Sequence, residues 1–288
     1  MDKKPEWLHV RIHAGSEYRE VRGILEKYKL NTVCDEALCP NRGKCFHAGT
    51  ATFMILGKNC TRNCRFCNVT SGGPEPVDAA EPLNIALAVR DLKLNYVVIT
   101  SVTRDDLDDG GAFHFAAVVE EIRRMNPKTR IEVLIPDFRG DIAALEKITV
   151  SKPDVIGHNI ETVPSLYSSV RPEAEYTQSL NVLSNVKKLF PGGRTKSGIM
   201  VGLGETETEV AAVMKDLRRH GCDFLTVGQY LAPSKLHIPV VEYITPDQFK
   251  HYEEIAYDMG FLHVASAPLV RSSYLAHDAY NRTAEKQG

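Results

Sequence analysis

The sequence predicts an α/β chain: a partial (β/α)6 TIM-type barrel with N-terminal and C-terminal extensions. Three observations predict it. The 288 residues are 43% hydrophobic and 25% charged, enough for one large α/β barrel or two smaller domains and too apolar for global disorder. From residue 51 onward, short strand-like runs alternate with helix-length amphipathic segments. The runs are rich in Val, Ile and Leu without clean polar alternation, as parallel strands buried on both faces require. Repeated βα units imply an open doubly wound sheet or a barrel. Six units rather than eight favour the partial barrel.

In order, a polar N-terminal stretch carries a short amphipathic helix around Ser16 to Tyr28. Strands are expected at Ala51–Leu56, Tyr96–Ser101, Ile131–Pro136, Asp154–Glu161, Lys196–Gly202 and Phe224–Tyr230, with a last one at His263–Pro268. Helices are expected near Pro82–Leu94, Ala112–Met125, Asp141–Thr149, Thr177–Leu189 and Glu205–His220. No repeat or linker breaks the run. The reading is one barrel over 51–259, an N-terminal extension over 1–50, and a C-terminal extension over 260–288 that closes the barrel mouth. In a barrel the strand ends face one mouth, so residues there are the candidates for chemistry.

The formal net charge is −2 with no long basic block. That disfavours nucleic acid as a partner, while a local basic patch could still recognise an acidic protein. Met1-Asp2-Lys3-Lys4-Pro5 leads into no apolar signal core, and no 18-residue apolar span occurs, so no membrane partner is expected. A reducing, cytoplasmic compartment fits, where clustered thiols bind metal more often than they pair.

The cysteines carry the chemistry. Cys60, Cys64 and Cys67 stand at C-x3-C-x2-C spacing just after the first strand, and Cys34, Cys39 and Cys45 at C-x4-C-x5-C. Three thiolates on one loop can hold three irons of a [4Fe–4S] cluster and leave the fourth open for chemistry. A structural zinc loop is the bland alternative, but zinc wants four ligands and paired spacing. The two different spacings favour two separate sites. Cys222, alone after a helical segment, reads as a core thiol. The first spacing, with Phe66 just before the last cysteine, resembles that of the radical S-adenosylmethionine enzymes, in which the cofactor's methionine moiety chelates the open iron.

Other constellations are weaker alone. In Asp108-Asp109-Gly110-Gly111 the glycines allow close approach and the acids offer acceptors to an ammonium or ribose, yet the same residues often just turn a chain into a helix. His158-Asn159-Ile160-Glu161-Thr162 ends the fourth strand with polar groups suited to hold a ligand. Arg171 and Tyr176 are candidates for the same mouth, a solvated loop arginine being the commoner case. Gly202-Leu203-Gly204-Glu205 completes no phosphate-loop pattern, so a nucleoside triphosphate is not expected. Arg271-Ser272-Ser273-Tyr274 by itself passes for a polar turn.

Taken together, both triplets, Ala51-Thr52-Phe53-Met54, Cys60-Thr61-Arg62, His158-Asn159-Ile160-Glu161-Thr162, Ser197-Gly198-Ile199-Met200, Gly202-Leu203-Gly204-Glu205 and the terminal tetrapeptide resemble the lipoyl synthase family over about residues 31 to 280. The resemblance implies a sulfurtransferase with two [4Fe–4S] clusters. The one on Cys60, Cys64 and Cys67 cleaves S-adenosyl-L-methionine; the auxiliary one on Cys34, Cys39 and Cys45 donates sulfur. It implies a serine of the tail as the auxiliary cluster's fourth ligand, Ser273 being favoured and Ser272 the alternative. It also implies that Phe66, Asp109, Gly110, Asn159, Glu161, Lys196 and Ser197 bind the cofactor. The implied substrate is an octanoyl-lysine on a lipoyl carrier protein or domain, and the implied electron donor a ferredoxin or flavodoxin. One departure is Lys44-Cys45-Phe46, where the family more often has an acidic residue and Trp.

Two rivals remain open at this level. A biotin synthase type of enzyme predicts a different auxiliary cluster and no use for Ser273. A non-catalytic zinc or iron–sulfur module predicts no cofactor cleavage. Thiol redox chemistry lacks its setting, because Cys60 turns the Cys64–Cys67 pair into a triplet.

Overall fold

The computed structural model describes residues 4–10, 15–48, 51–274, 276, 277 and 280; the expected extensions over 1–50 and 260–288 thus lie partly outside the described residues. The chain begins with α1 (Ser16–Lys27), β1 (Asn31–Thr32), α2 (Val33–Glu36) and α3 (Arg42–His47). The barrel follows: β2 (Thr52–Ile55), a two-stranded excursion β3 (Asn59–Cys60) and β4 (Thr70–Ser71), α4 (Glu81–Asp91), β5 (Tyr96–Ser101), α5 (Ala112–Met125), β6 (Arg130–Leu134) and α6 (Ile142–Val150). It continues with β7 (Val155–Gly157), α7 (Tyr167–Val170), α8 (Tyr176–Leu189), β8 (Arg194–Val201), α9 (Glu207–Arg219), β9 (Phe224–Gln229), α10 (Pro246–Asp258) and β10 (His263–Ser266).

The main sheet runs β1-β2-β5-β6-β7-β8-β9-β10. β1 is antiparallel to β2, and every other neighbouring pair is parallel. With β1 and β10 as edges the barrel stays open. Among the described residues six strand–helix units are present, as the sequence predicts, and β10 adds a parallel strand to β9. Helix α10 is an addition to the expected elements. Thr245 accepts from Gln248 N–H as N-cap, Pro246 sits in the first turn, and Phe249, Tyr252 and Ala256 form its buried stripe.

Alternation decides what faces the cavity. On β8, Ile199 and Val201 pack with Val210, Val213, Met214 and Leu217 of α9. Lys196, Gly198 and Met200 therefore face the concave interior. On β5 and β6 the helix-facing residues are Val97, Ile99, Ile131 and Val133, leaving Tyr96, Val98 and Glu132 inside. The interior is thus partly polar, which a purely structural barrel core would avoid.

The N-terminal segment packs beside β2, to which β1 adds an antiparallel strand. Tyr18 of α1 packs its ring against that of Phe46 of α3 with centroids 5.3 Å apart, and Tyr28 OH and Lys27 Nζ both reach Asp91 at the end of α4. At the other terminus Ala276 and Tyr280 lie against Tyr96 and Val98. Arg130, the first residue of β6, lies over the Tyr280 ring at 5.3 Å.

Candidate active site

The loop bearing Cys60, Cys64 and Cys67 leaves β2 through Leu56 (φ 68°) and Gly57 (φ 91°). Leu56 N–H donates to Glu81, which also meets His114 at 2.6 Å. Thr61 is tied twice to Thr103 O, through its amide and its hydroxyl. Arg62 is buried and forks onto Asp105 and Asp137 at 2.7–2.9 Å. Burial opposes the charge on Asp137, but Arg62 outweighs it and holds the carboxyl well below its usual range. On the other flank Arg65 N–H donates to Val170 O, and His237 Nε2 lies 3.1 Å from Cys67 O. Thr103 N–H points at Cys60 Sγ, 3.3 Å away. The cysteine loop is therefore clamped from three sides before any ligand arrives.

The end of β7 forms the facing wall. Ser197 Oγ accepts from Ile160 N–H, Tyr167 OH donates to Ile160 O, and Glu161 N–H donates to Gly198 O. Held so, Glu161 adopts φ 67°, a left-handed backbone that costs a non-glycine residue about 1–3 kcal/mol. Asn159 Nδ2 donates to Glu161 Oε1 at 3.0 Å. Burial raises the Glu161 carboxyl, and Arg171 opposes the rise. Arg171 is buried, not solvated: Nη1 serves Asn159 O, Ile160 O and Tyr167 OH, while Nε has no partner. Its charge also acts on Cys64. Sequence reasoning undervalued this residue because only the fold buries it. Tyr176 meets the Tyr167 ring edge-to-face and donates to Asp216. Phe66 packs with Val170, Leu203, Tyr230 and Met200, giving the site an apolar wall.

Four expected cofactor contacts are otherwise engaged. Lys196 pairs with Glu132 at 2.7 Å, both side chains 3% exposed or less, and Tyr96 OH donates to the same carboxylate at 2.6 Å. Lys196 stands near the start of β8, in register with Gly157 and Phe224. Ser197 faces the helices and acts only through Ile160. Asp109 accepts from Gly111 N–H and Phe113 N–H at the start of α5 and pairs with Lys147. Gly110, at φ 61°, turns the chain against Phe138, whose Cδ1 would lie 2.8 Å from a Cβ. Both residues form a helix entry, which is why their spacing resembled a ligand loop. Likewise, the amides of Gly202 and Leu203 are filled by the chain's own Glu205 carboxylate.

Cys34 and Cys45 sit on α2 and α3, with Cys39 between, its N–H donating to Cys34 O. The tail returns to this loop. Asn41 Nδ2 donates to Leu269 O at 2.7 Å, and Lys44 Nζ to Tyr274 OH at 2.6 Å, so the residue that departs from the family pattern is the one that grips the tail. Gly228 of β9 permits the crossing, because a Cβ there would collide with Val270 O. Ser273 Oγ accepts from Thr52 Oγ1 at 2.9 Å, and the Thr52 amide acts on the Cys34 thiol. Ser272 turns the other way and donates to Asn159 Oδ1 at 2.9 Å. Arg271, buried deeply enough to lower its basicity, lies within electrostatic reach of Cys39 and Glu161.

All seven cysteines are free. Burial pushes Cys34 and Cys67 up to about 12 and Cys45 up to about 11. Such thiols stay protonated and inert at neutral pH unless a metal centre takes the thiolate. Cys222 is raised by burial too and donates to Phe224 O, as a core thiol does. Among the described residues no three His, Cys, Asp or Glu side chains converge on a single-ion position. Thiolates that each take a different iron of a cubane need not converge.

The fold and the clamped cysteine loop define a class. The model of the Radical SAM superfamily matches residues 54–217, and this is a radical S-adenosylmethionine enzyme. The solved structure of methylornithine synthase is similar with a TM-score of 0.50 at 12% identity, covering 98% of this chain and 95% of its own. A maturase of the [FeFe]-hydrogenase gives 0.57 at 14%, covering 84% and 64%. These two likenesses concern the fold alone. The lipoyl synthase of Alkaliphilus metalliredigens is 57% identical over 283 residues, 98% of each chain. That of Caldicellulosiruptor saccharolyticus is 58% identical over 276 residues, 96% of this chain and 97% of its own. The chain belongs to the lipoyl synthase family.

A radical S-adenosylmethionine enzyme uses a [4Fe–4S] cluster and S-adenosylmethionine, and the residues present fit both. Cys60, Cys64 and Cys67 supply thiols on a loop fixed by Arg62. The buried, unpartnered Nε of Arg171 and the strained Glu161 supply opposite charges next to it.

Proposed function

We propose that this enzyme inserts two sulfur atoms, at C6 and C8, into an octanoyl chain borne on a lysine of a carrier protein or domain. In this reading Cys34, Cys39, Cys45 and Ser273 hold an auxiliary [4Fe–4S] cluster, and a one-electron donor of the ferredoxin or flavodoxin kind reduces the other. When bound, the first cluster and S-adenosylmethionine supply a 5′-deoxyadenosyl radical able to break an unactivated C–H bond, and the auxiliary cluster supplies sulfide. The chain's own residues bind, orient and exclude water. Asn159 and Glu161 offer acceptors to the cofactor's ammonium or hydroxyl groups, and Arg171 offers a buried cation to its carboxylate. The wall of Phe66, Val170, Leu203 and Tyr230 keeps solvent from a radical. Seven free cysteines suit a reducing, cytoplasmic compartment; no helix among the described residues is long and apolar enough to cross a membrane.

One observation supports the reading most. The short tail 269–274 bonds both the loop of Cys39 and Cys45, through Asn41 to Leu269 O, and Asn159 at the end of β7, through Ser272, while Glu161 of the same strand end acts on Cys64 and Cys67. The test is anaerobic reconstitution followed by iron and sulfide analysis and Mössbauer spectra. About eight irons are expected, four per cluster. Replacing Cys60, Cys64 and Cys67 with Ala halves the iron and abolishes cofactor cleavage. Replacing Cys34, Cys39 and Cys45 with Ala leaves 5′-deoxyadenosine formation and removes the lipoyl product. Zinc without sulfide, or undiminished product from the second variant, overturns the proposal.

A further inference from the structure

Ser272 has no part in the reading above, yet it is tied to the opposite site from its neighbour. Its hydroxyl donates to Asn159 Oδ1 at 2.9 Å, and Asn159 Nδ2 donates to Glu161 Oε1 at 3.0 Å. A carboxylate only accepts, so Asn159 must turn its NH2 toward Glu161 and leave Oδ1 for a donor. Ser272 is that donor. Space is tight around the amide: a Cβ on Gly198 would lie 3.0 Å from Asn159 Oδ1 and 2.7 Å from Thr226 Oγ1. Glu161 itself holds a left-handed backbone that only its surroundings maintain.

The adjacent Ser273 accepts from Thr52, whose amide acts on Cys34. Consecutive Cα atoms are about 3.8 Å apart, so the two serines cannot move independently. Further contacts fix the tail to the loop of Cys39 and Cys45, namely Asn41 to Leu269 O and Lys44 to Tyr274 OH. Seating of the tail on that loop and orientation of the Asn159–Glu161 pair are therefore one mechanical event.

We infer that Ser272 is a positioning residue through which the docked tail sets the affinity of the Asn159–Glu161 site for S-adenosylmethionine. An intact auxiliary site thus favours cofactor binding, and by linkage cofactor binding favours the docked tail. The consequence is economy of radicals: cofactor binds best when sulfur is at hand. This rests on the proposed assignment of Ser273 to the auxiliary cluster.

The experiment measures binding of S-adenosylmethionine to anaerobically reconstituted holoenzyme by equilibrium dialysis, with iron counts on the same samples. Ser272→Ala raises Kd about tenfold, the scale of one buried hydrogen bond lost with its acceptor left unpaired, and keeps the full iron content. Ser272→Thr, which keeps the hydroxyl, restores binding. Lys44→Ala, far from the cofactor site, raises Kd severalfold by loosening the tail. A cofactor-induced change in the EPR signal of the reduced cluster follows the same order. Unchanged Kd in both Ser272→Ala and Lys44→Ala, with full iron, overturns the inference and leaves the proposed function standing. Loss of auxiliary iron in Ser272→Ala but not in Ser273→Ala overturns the ligand assignment itself.

Discussion

Thr52 Oγ1 donates to Ser273 Oγ at 2.9 Å across 221 positions of sequence. Thr52 is the first residue of β2 and its amide also serves Cys34. One threonine therefore joins the barrel, the auxiliary triplet and the tail. Ser273→Ala is expected to retain 5′-deoxyadenosine formation and lose most lipoyl product together with iron from the auxiliary site. Full iron and normal product in that variant would remove Ser273 from the ligand set.

Arg171 is expected to contribute more to cofactor affinity than any other charge on the β7 side. Arg171→Met removes the cation beside Glu161 and Cys64 and three hydrogen bonds to the 159–167 segment. The dissociation constant for S-adenosylmethionine rises tenfold or more, about 1.4 kcal/mol or above, and the unfolding midpoint drops. Arg171→Lys recovers charge without the fork and restores only part of the affinity. Wild-type affinity in Arg171→Met would sink this role.

Lys196 gives the opposite contrast. Its ion pair with Glu132 is buried, and removing one partner of such a pair costs about 3–5 kcal/mol by stranding the other. Lys196→Met should destabilise the fold in denaturant titrations, while Lys196→Met with Glu132→Leu recovers much of the loss. Cofactor affinity of the folded double variant stays near wild type. A selective loss of affinity with unchanged stability would return Lys196 to the cofactor site.

His158 sets an acid limit on stability. Burial pushes it down to about 4, with Arg171 adding to the effect, from an ordinary 6.5. Below pH 6.5 the unfolded chain takes up a proton that the folded chain refuses until pH 4. The contribution is therefore full above pH 6.5, declines as pH falls, and is lost by pH 4, about 3 kcal/mol in all. Its Nδ1 lies 2.9 Å from Ile135 O and Nε2 has no partner, consistent with a neutral ring. His158→Gln should flatten the stability curve between pH 6.5 and 4; equal slopes in both proteins would refute the assignment.

The sequence by itself determined whatever depends on local period and spacing. The runs of Val, Ile and Leu at β5, β6, β8 and β9 and the amphipathic helices between them need no distant partner to be recognised. Both cysteine spacings are equally local, because a cluster loop must present its thiols from a few consecutive residues. Helix α10 also carried local signals, Thr245 before Pro246 and a stripe through Phe249, Tyr252 and Ala256, and could have been found. Only the tertiary structure decided which polar residues reach the site. Asp109 and Gly110 have the composition of a ligand loop and spend it on starting α5. Lys196 is one strand position from Ser197, and the pleat sends the first into the interior and the second toward the helices. Arg171 resembles any loop arginine until α7 and the end of β7 close around it. Ser272 and Ser273 are identical in composition and adjacent in sequence. Burial and direction, which depend on contacts between residues far apart in the chain, send one toward Asn159 and the other toward Thr52.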